Sequence, residues 1–109
     1  MSWLLRNGEV LAALEIAEGL PELARGLIGR SDLEGALLLR PCMSVHTLGV
    51  RFTIDVAYCD RTLRVLDMAT MAPWRLGMVR PRARCVVEAR AGAFERWRLA
   101  LGDYLEIKG

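Results

Sequence analysis

The sequence predicts an α+β fold, mainly antiparallel β, in a small barrel-like domain with one or two short helices. Three observations lead there. The chain has 109 residues, 53% of them hydrophobic, which suits one core and a single domain over residues 1–109. Short apolar runs separated by turn residues recur along it, enough for about seven strands. The run Ile54–Cys59 is largely apolar on both alternating faces, with Asp55 the exception. A partly closed barrel is one way for so small a domain to bury two-faced strands.

The elements follow in order. Trp3-Leu4-Leu5-Arg6 and Glu9-Val10-Leu11 flank Asn7-Gly8, a pair that favours a two-residue type I′ turn, so a hairpin opens the chain and its second strand runs to about Ala17. Leu20, Leu23, Leu27 and Ile28 share one helical face, Pro21 suits a first turn, and Gly29 suits the position past a helix end. Gly26 inside that helix implies the close approach of a neighbouring strand. Strands are expected at 36–39, 44–48, 54–59 and 63–68, the last two joined as a hairpin by Asp60-Arg61-Thr62. Residues 72–83 hold two Pro, a Gly and three Arg, and read as a surface loop. A strand at 84–89 precedes a helical turn marked by Phe94, Trp97 and Leu101, and Gly102-Asp103 leads into a last strand at 104–107.

Composition excludes several classes. The longest stretch without a charge is residues 41–50, half the roughly 20 apolar residues that a membrane helix needs. The first residues lack a basic, then apolar, signal segment, which leads us to expect a cytoplasmic protein. Cys42, Cys59 and Cys85 are odd in number and widely spaced, and are expected as small buried hydrophobes. Net charge is +2, but residues 1–60 carry five Arg against eight acids while residues 61–109 carry nine Arg and Lys108 against five. The net charge is too weak to imply a polyanionic partner by itself, and fourteen of the fifteen basic residues are Arg, which offers many bidentate donors.

The chain is similar to a known family at four places. Gly26-Leu27-Ile28-Gly29-Arg30 with Leu33 resembles the G-L-M-x-R-x-x-L helix end of the domain-of-unknown-function 192 proteins. The segment from Ser44 to Tyr58 resembles their central motif, W-M-K-N-T followed by L-D-x-x-F. Val86-Val87-Glu88-Ala89 with Gly92 resembles V-L-E-x-x-x-G, and Gly102-Asp103 the closing G-D. The matches fall in the family's order. Ser44-Val45-His46-Thr47 stands where many members have Trp-Met-Lys-Asn, so no role of that Lys or Asn carries over. The resemblance implies an uncharacterised bacterial or archaeal domain, mainly β with a little helix. It implies no established activity, cofactor or catalytic residue.

Asp55 is the most informative single position. A carboxylate between Ile54 and Val56 must be ion-paired, hydrogen-bonded or solvated in a pocket, because burying it alone is prohibitive. Arg30 and Arg51 are the candidate ion partners, and a cap on backbone N–H groups is the structural alternative. His46, the only histidine, has Ser44 and Thr47 beside it. A Ser44–His46–Asp55 relay ranks low, since nothing resembles a nucleophile elbow. No metal-ligand spacing is present, although His46, Asp55 and Glu88 could at most hold a weak ion.

Two functions of different classes follow. The first is a small-molecule-binding pocket of Arg30, His46, Thr47, Arg51 and Asp55, with the arginines set for an anionic ligand. The second is a non-catalytic module that binds a protein through an edge strand or the Arg-rich loop, with Trp74, Arg75, Arg80, Arg82 and Arg84 as contacts. Nucleic acid is a poor third partner given the small net charge and the lack of a reader motif. No cofactor, metal or membrane contact is expected, and an enzyme ranks below both readings.

Overall fold

A computed structural model describes all 109 residues. Seven strands and two short helices run in the order β1 (Ser2–Arg6), β2 (Glu9–Glu18), α1 (Leu20–Arg25), β3 (Ala36–Arg40), β4 (Ile54–Cys59), β5 (Val65–Met71), β6 (Cys85–Arg90), α2 (Ala93–Trp97) and β7 (Glu106–Lys108). They form one sheet, β5-β4-β6-β3-β2-β1-β7, as the α+β expectation requires. All pairings are antiparallel except β2 with β3, which α1 connects. The sheet curls without closing. Its margins β5 and β7 approach at the Arg64–Tyr104 bridge, flanked by bonds from Val65 N–H to Asp103 O (2.8 Å) and from Leu105 N–H to Leu63 O (2.9 Å).

Local sequence explains much of this. Asn7 (φ 52°) and Gly8 (φ 77°) take the left-handed conformations of a type I′ turn, and Arg6 pairs with Glu9 across it. The Asp60 carboxylate accepts from the Thr62 and Arg64 N–H groups, which builds the β4–β5 turn; β5 then starts at Val65, two residues later than expected.

Three expectations need correction. The helix ends at Arg25 rather than Gly29, because Gly26 turns left-handed (φ 45°) and sends its N–H back to Glu22 O. Residues 44–48 form no strand of the sheet and make only a bridge, His46 to Leu76. Gly26 is also not the site of close approach: a Cβ there would meet only Leu23 O, at 3.9 Å. Gly35 is such a site, since at φ 75° its Cβ would land on the Ala13 carbonyl.

That contrast yields a test. Gly35→Ala should cost about 2–3 kcal/mol, from left-handed strain plus displacement of β2, and lower the melting temperature by about 10 °C or more. Gly29→Ala has the same strain (φ 82°) but nothing within 4 Å, and should cost about 1 kcal/mol.

Strand alternation divides the interior into two apolar clusters. Leu38, Ala57, Cys59, Cys85, Val87 and Phe94 belong to the first, and Leu37, Leu39, Val45, Val56, Tyr58 and Val86 to the second. All six residues of β4 are buried, so it is two-faced as expected. Cys59 and Cys85 are buried and cross-strand neighbours, whereas Cys42 is half-buried and donates its thiol proton to Ser44 O at 3.0 Å.

Candidate functional site

The five residues expected to form one pocket are distributed instead. Asp55 is 6% exposed and points to the first cluster's face, while Ile54 and Val56 pack with Val45 and Val50 on the other. Its Oδ1 accepts from the Thr70 hydroxyl (3.0 Å), and its Oδ2 from the N–H groups of Gly92 (3.0 Å) and Phe94 (3.1 Å). The anticipated Asp–Arg pair is therefore replaced by the backbone cap, because the entry to α2 lies against β4. The Gly92 turn has no side-chain cap of its own, and Asp55 supplies one from a distant strand.

Of the other four, Arg30, Thr47 and His46 have separate partners. Arg30 grips both oxygens of Glu15 (3.0 and 2.8 Å); these hydrogen bonds hold the Glu15 carboxyl below its ordinary pKa and raise that of Arg30. Thr47 is fully buried and pins the following loop, donating to Ala72 O and accepting from the Arg75 N–H (2.8 Å). The Nδ1 of His46 accepts from Leu48 N–H at 3.2 Å, so the neutral ring carries its proton on Nε2. Arg51 is exposed. With Asp55 on the far side of the sheet, the Ser44–His46–Asp55 relay is not assembled.

The structure brings a different set together. Glu88 pairs in register with Leu37 and Val56, which turns its side chain to the second cluster's face. It is 4% exposed and opens on a cavity of about 60 Å³. The walls are Leu23 to Ile28 from α1 and its exit, Leu39, Cys42, Ser44, Val45, His46 and Val50. No protein group hydrogen-bonds the Glu88 carboxyl: burial raises its pKa to about 7, offset in part by the Arg30 charge. Burial likewise pushes the Cys42 thiol up. The cavity thus presents a carboxyl that at neutral pH can donate or accept, the His46 ring and a protonated thiol within an apolar wall.

In the sequence Glu88 stands out only within the motif that resembles V-L-E-x-x-x-G and as a third weak ligand beside His46 and Asp55. The signal that singled out Asp55, a carboxylate inside an apolar strand, is equally present in Cys85-Val86-Val87-Glu88-Ala89.

The Arg-rich loop has its own organisation. Arg80 donates to Asp67 (3.0 Å) and to Met78 O, and its guanidinium lies 4.1 Å over the Tyr58 ring. Arg84 donates to the Pro81 and Ala83 carbonyls. Arg75 and Arg82 are exposed, as is Trp74.

This curled mixed sheet with its two short helices is the fold of an uncharacterised protein family. Residues 3–107 match the model of DUF192, described as an uncharacterized ACR, and the chain belongs to that family. A UPF0127 protein of Pyrococcus horikoshii is 29% identical over 111 residues, covering 97% of this chain and 90% of its own. A protein of unknown function from Novosphingobium aromaticivorans has a similar fold, with a TM-score of 0.81 at 20% identity over 96% of this chain and 82% of that one. A Sinorhizobium meliloti protein gives a TM-score of 0.82 at 15% identity, over 96% and 90% of the two chains. No helix is long and apolar enough to cross a membrane.

Proposed function

We propose that the domain binds a small ligand by inserting its polar headgroup into the Glu88 cavity. The observation that carries this is a buried carboxyl without a protein hydrogen-bond partner, facing a cavity. Such a group is costly unless water or a ligand satisfies it, and a buried carboxyl with a shifted pKa beside a cavity is a candidate binding group. The room, about 60 Å³, suits a small polar headgroup. An ammonium or similar donor suits the carboxyl better than an anion does. The Arg30 guanidinium, which an anionic ligand would use, is taken up by Glu15.

Binding without catalysis is the simpler use of these groups. The Cys42 proton goes to Ser44 O and the His46 Nδ1 to a backbone N–H, so neither activates the other as nucleophile and base. Three unpaired cysteines fit the reducing cytoplasm to which we assign the protein.

The test is a thermal-shift and calorimetric comparison of wild type and Glu88→Gln with methylammonium, ethylammonium and acetate salts. A ligand at 100 times its dissociation constant adds about 2.7 kcal/mol of stability. The alkylammonium ions should stabilise wild type, more at pH 8 than at pH 6, and leave Glu88→Gln unmoved. Equal stabilisation of both proteins, or a preference for acetate, overturns the proposal.

A further inference from the structure

Four of the thirteen large exposed apolar side chains lie within six residues, on the ribbon that covers the Tyr58 side of the domain. Trp74, Leu76, Met78 and Val79 are 66%, 76%, 78% and 58% exposed. Backbone bonds from Thr47 N–H to Arg75 O and from Gly77 N–H to Val45 O, both 2.8 Å, fasten the ribbon's inner edge to residues 45–47. Gly77 allows this close seat, since a Cβ there would strike the Val45 carbonyl and crowd the Tyr58 hydroxyl. With Arg75 and Gly77 turned inward, the Leu76 N–H and C=O point outward and bond no protein group.

Beside that free edge lies a second one. β5 is a margin of the sheet, and between Ala69–Ala72 and the ribbon runs a mostly apolar groove of about 350 Å³, bordered by Arg75 and Arg80. From residue 72 to residue 84 the chain carries four Arg and no acid. Arg80 is held by Asp67, whereas Arg75 has no acidic partner.

We propose that this groove is a docking site for an extended acidic segment of another protein. The segment adds a β-strand to the free edge at Leu76, lays alternate apolar side chains on Leu76 and Met78, and turns carboxylates to Arg75. Charge selects this occupant. A second copy docked through the same face would set arginines against arginines. A lipid surface would leave the Leu76 N–H and C=O unpaired in hydrocarbon, whereas an extended peptide satisfies both. The site lies apart from the Glu88 cavity and stands without it.

The probe is a labelled nine-residue peptide of alternating Glu and Val, followed by fluorescence anisotropy, with amide exchange read by NMR. We expect saturable binding that weakens at least tenfold in Arg75→Glu and in Leu76→Asp, and that falls as salt rises. Exchange of the Leu76 amide should slow on binding, and Glu88→Gln should bind as wild type does. A Lys-for-Glu version of the peptide should bind at least tenfold more weakly. Equal binding of the two peptides, or an unchanged Leu76 amide in the complex, overturns the proposal. Sedimentation with phosphatidylglycerol vesicles without peptide binding overturns it in favour of a membrane surface.

Discussion

Asp55→Ala should lower the unfolding free energy by about 4 kcal/mol and the melting temperature by about 15–30 °C, one of the two largest effects expected in this domain. The side chain is almost wholly buried and accepts from three donors, the Thr70 hydroxyl and the Gly92 and Phe94 N–H groups. Alanine leaves two of those donors as buried or half-buried backbone N–H groups with no other acceptor. It also removes the only side-chain cap at the start of α2. Asp55→Asn keeps one oxygen and loses the charge, and should fall between Ala and wild type, at about 2 kcal/mol. Thr70→Val removes one donor from a residue at the surface, and about 1 kcal/mol is expected. Urea melts of the three variants check the order. An Asp55→Ala variant within 1 kcal/mol of wild type, a loss no larger than one ordinary hydrogen bond, would remove the carboxylate from its role in holding α2 to β4.

Glu88→Gln should change how stability depends on pH. The folded protein holds the Glu88 proton to about pH 7, while the unfolded chain releases it near the ordinary carboxyl value of 4.5. Between those values the folded state binds more protons, so the Glu88 contribution to stability falls as pH rises through that window and is constant above it. The whole change amounts to about 3 kcal/mol, because each pKa unit is worth about 1.4 kcal/mol. Glutamine has no such titration. The melting temperature of Glu88→Gln relative to wild type should therefore climb by about 10 °C or more from pH 4 to pH 8. Parallel curves for the two proteins would mean that the carboxyl is solvated and that the cavity holds no neutral acid. The same buried charge explains why a cationic headgroup would bind more tightly at higher pH.

Much of the architecture was legible in local sequence because its causes are local. Asn7-Gly8 specified its hairpin through the φ values that the turn demands, and Pro21 marked the first turn of α1. Alternation in residues 54–59 announced a strand buried on both faces. Legibility failed where one local signal competed with another. Gly26 and Gly29 both suit a helix end, and the nearer one stops α1. Residues 44–48 have a strand's composition, but Thr47 and Val45 are drawn to the 72–77 ribbon instead of the sheet. The candidate site was half legible: a carboxylate in an apolar strand is an anomaly wherever it occurs, and that rule marks both Asp55 and Glu88.

Local sequence marked Asp55, His46 and an arginine-rich loop as unusual. It determined the fold class as well, since hydrophobic period and turn chemistry act over a few residues. What such residues do depends on how the whole chain folds. Strand register sets Glu88 opposite Val56 and Leu37, on the face away from Asp55, and so separates a capping carboxylate from one that faces a cavity. Register is a contact between residues more than thirty positions apart, settled by the packing of two whole clusters. A side chain's face along its own strand follows from a period of two; the company it keeps across the sheet follows from the fold as a whole.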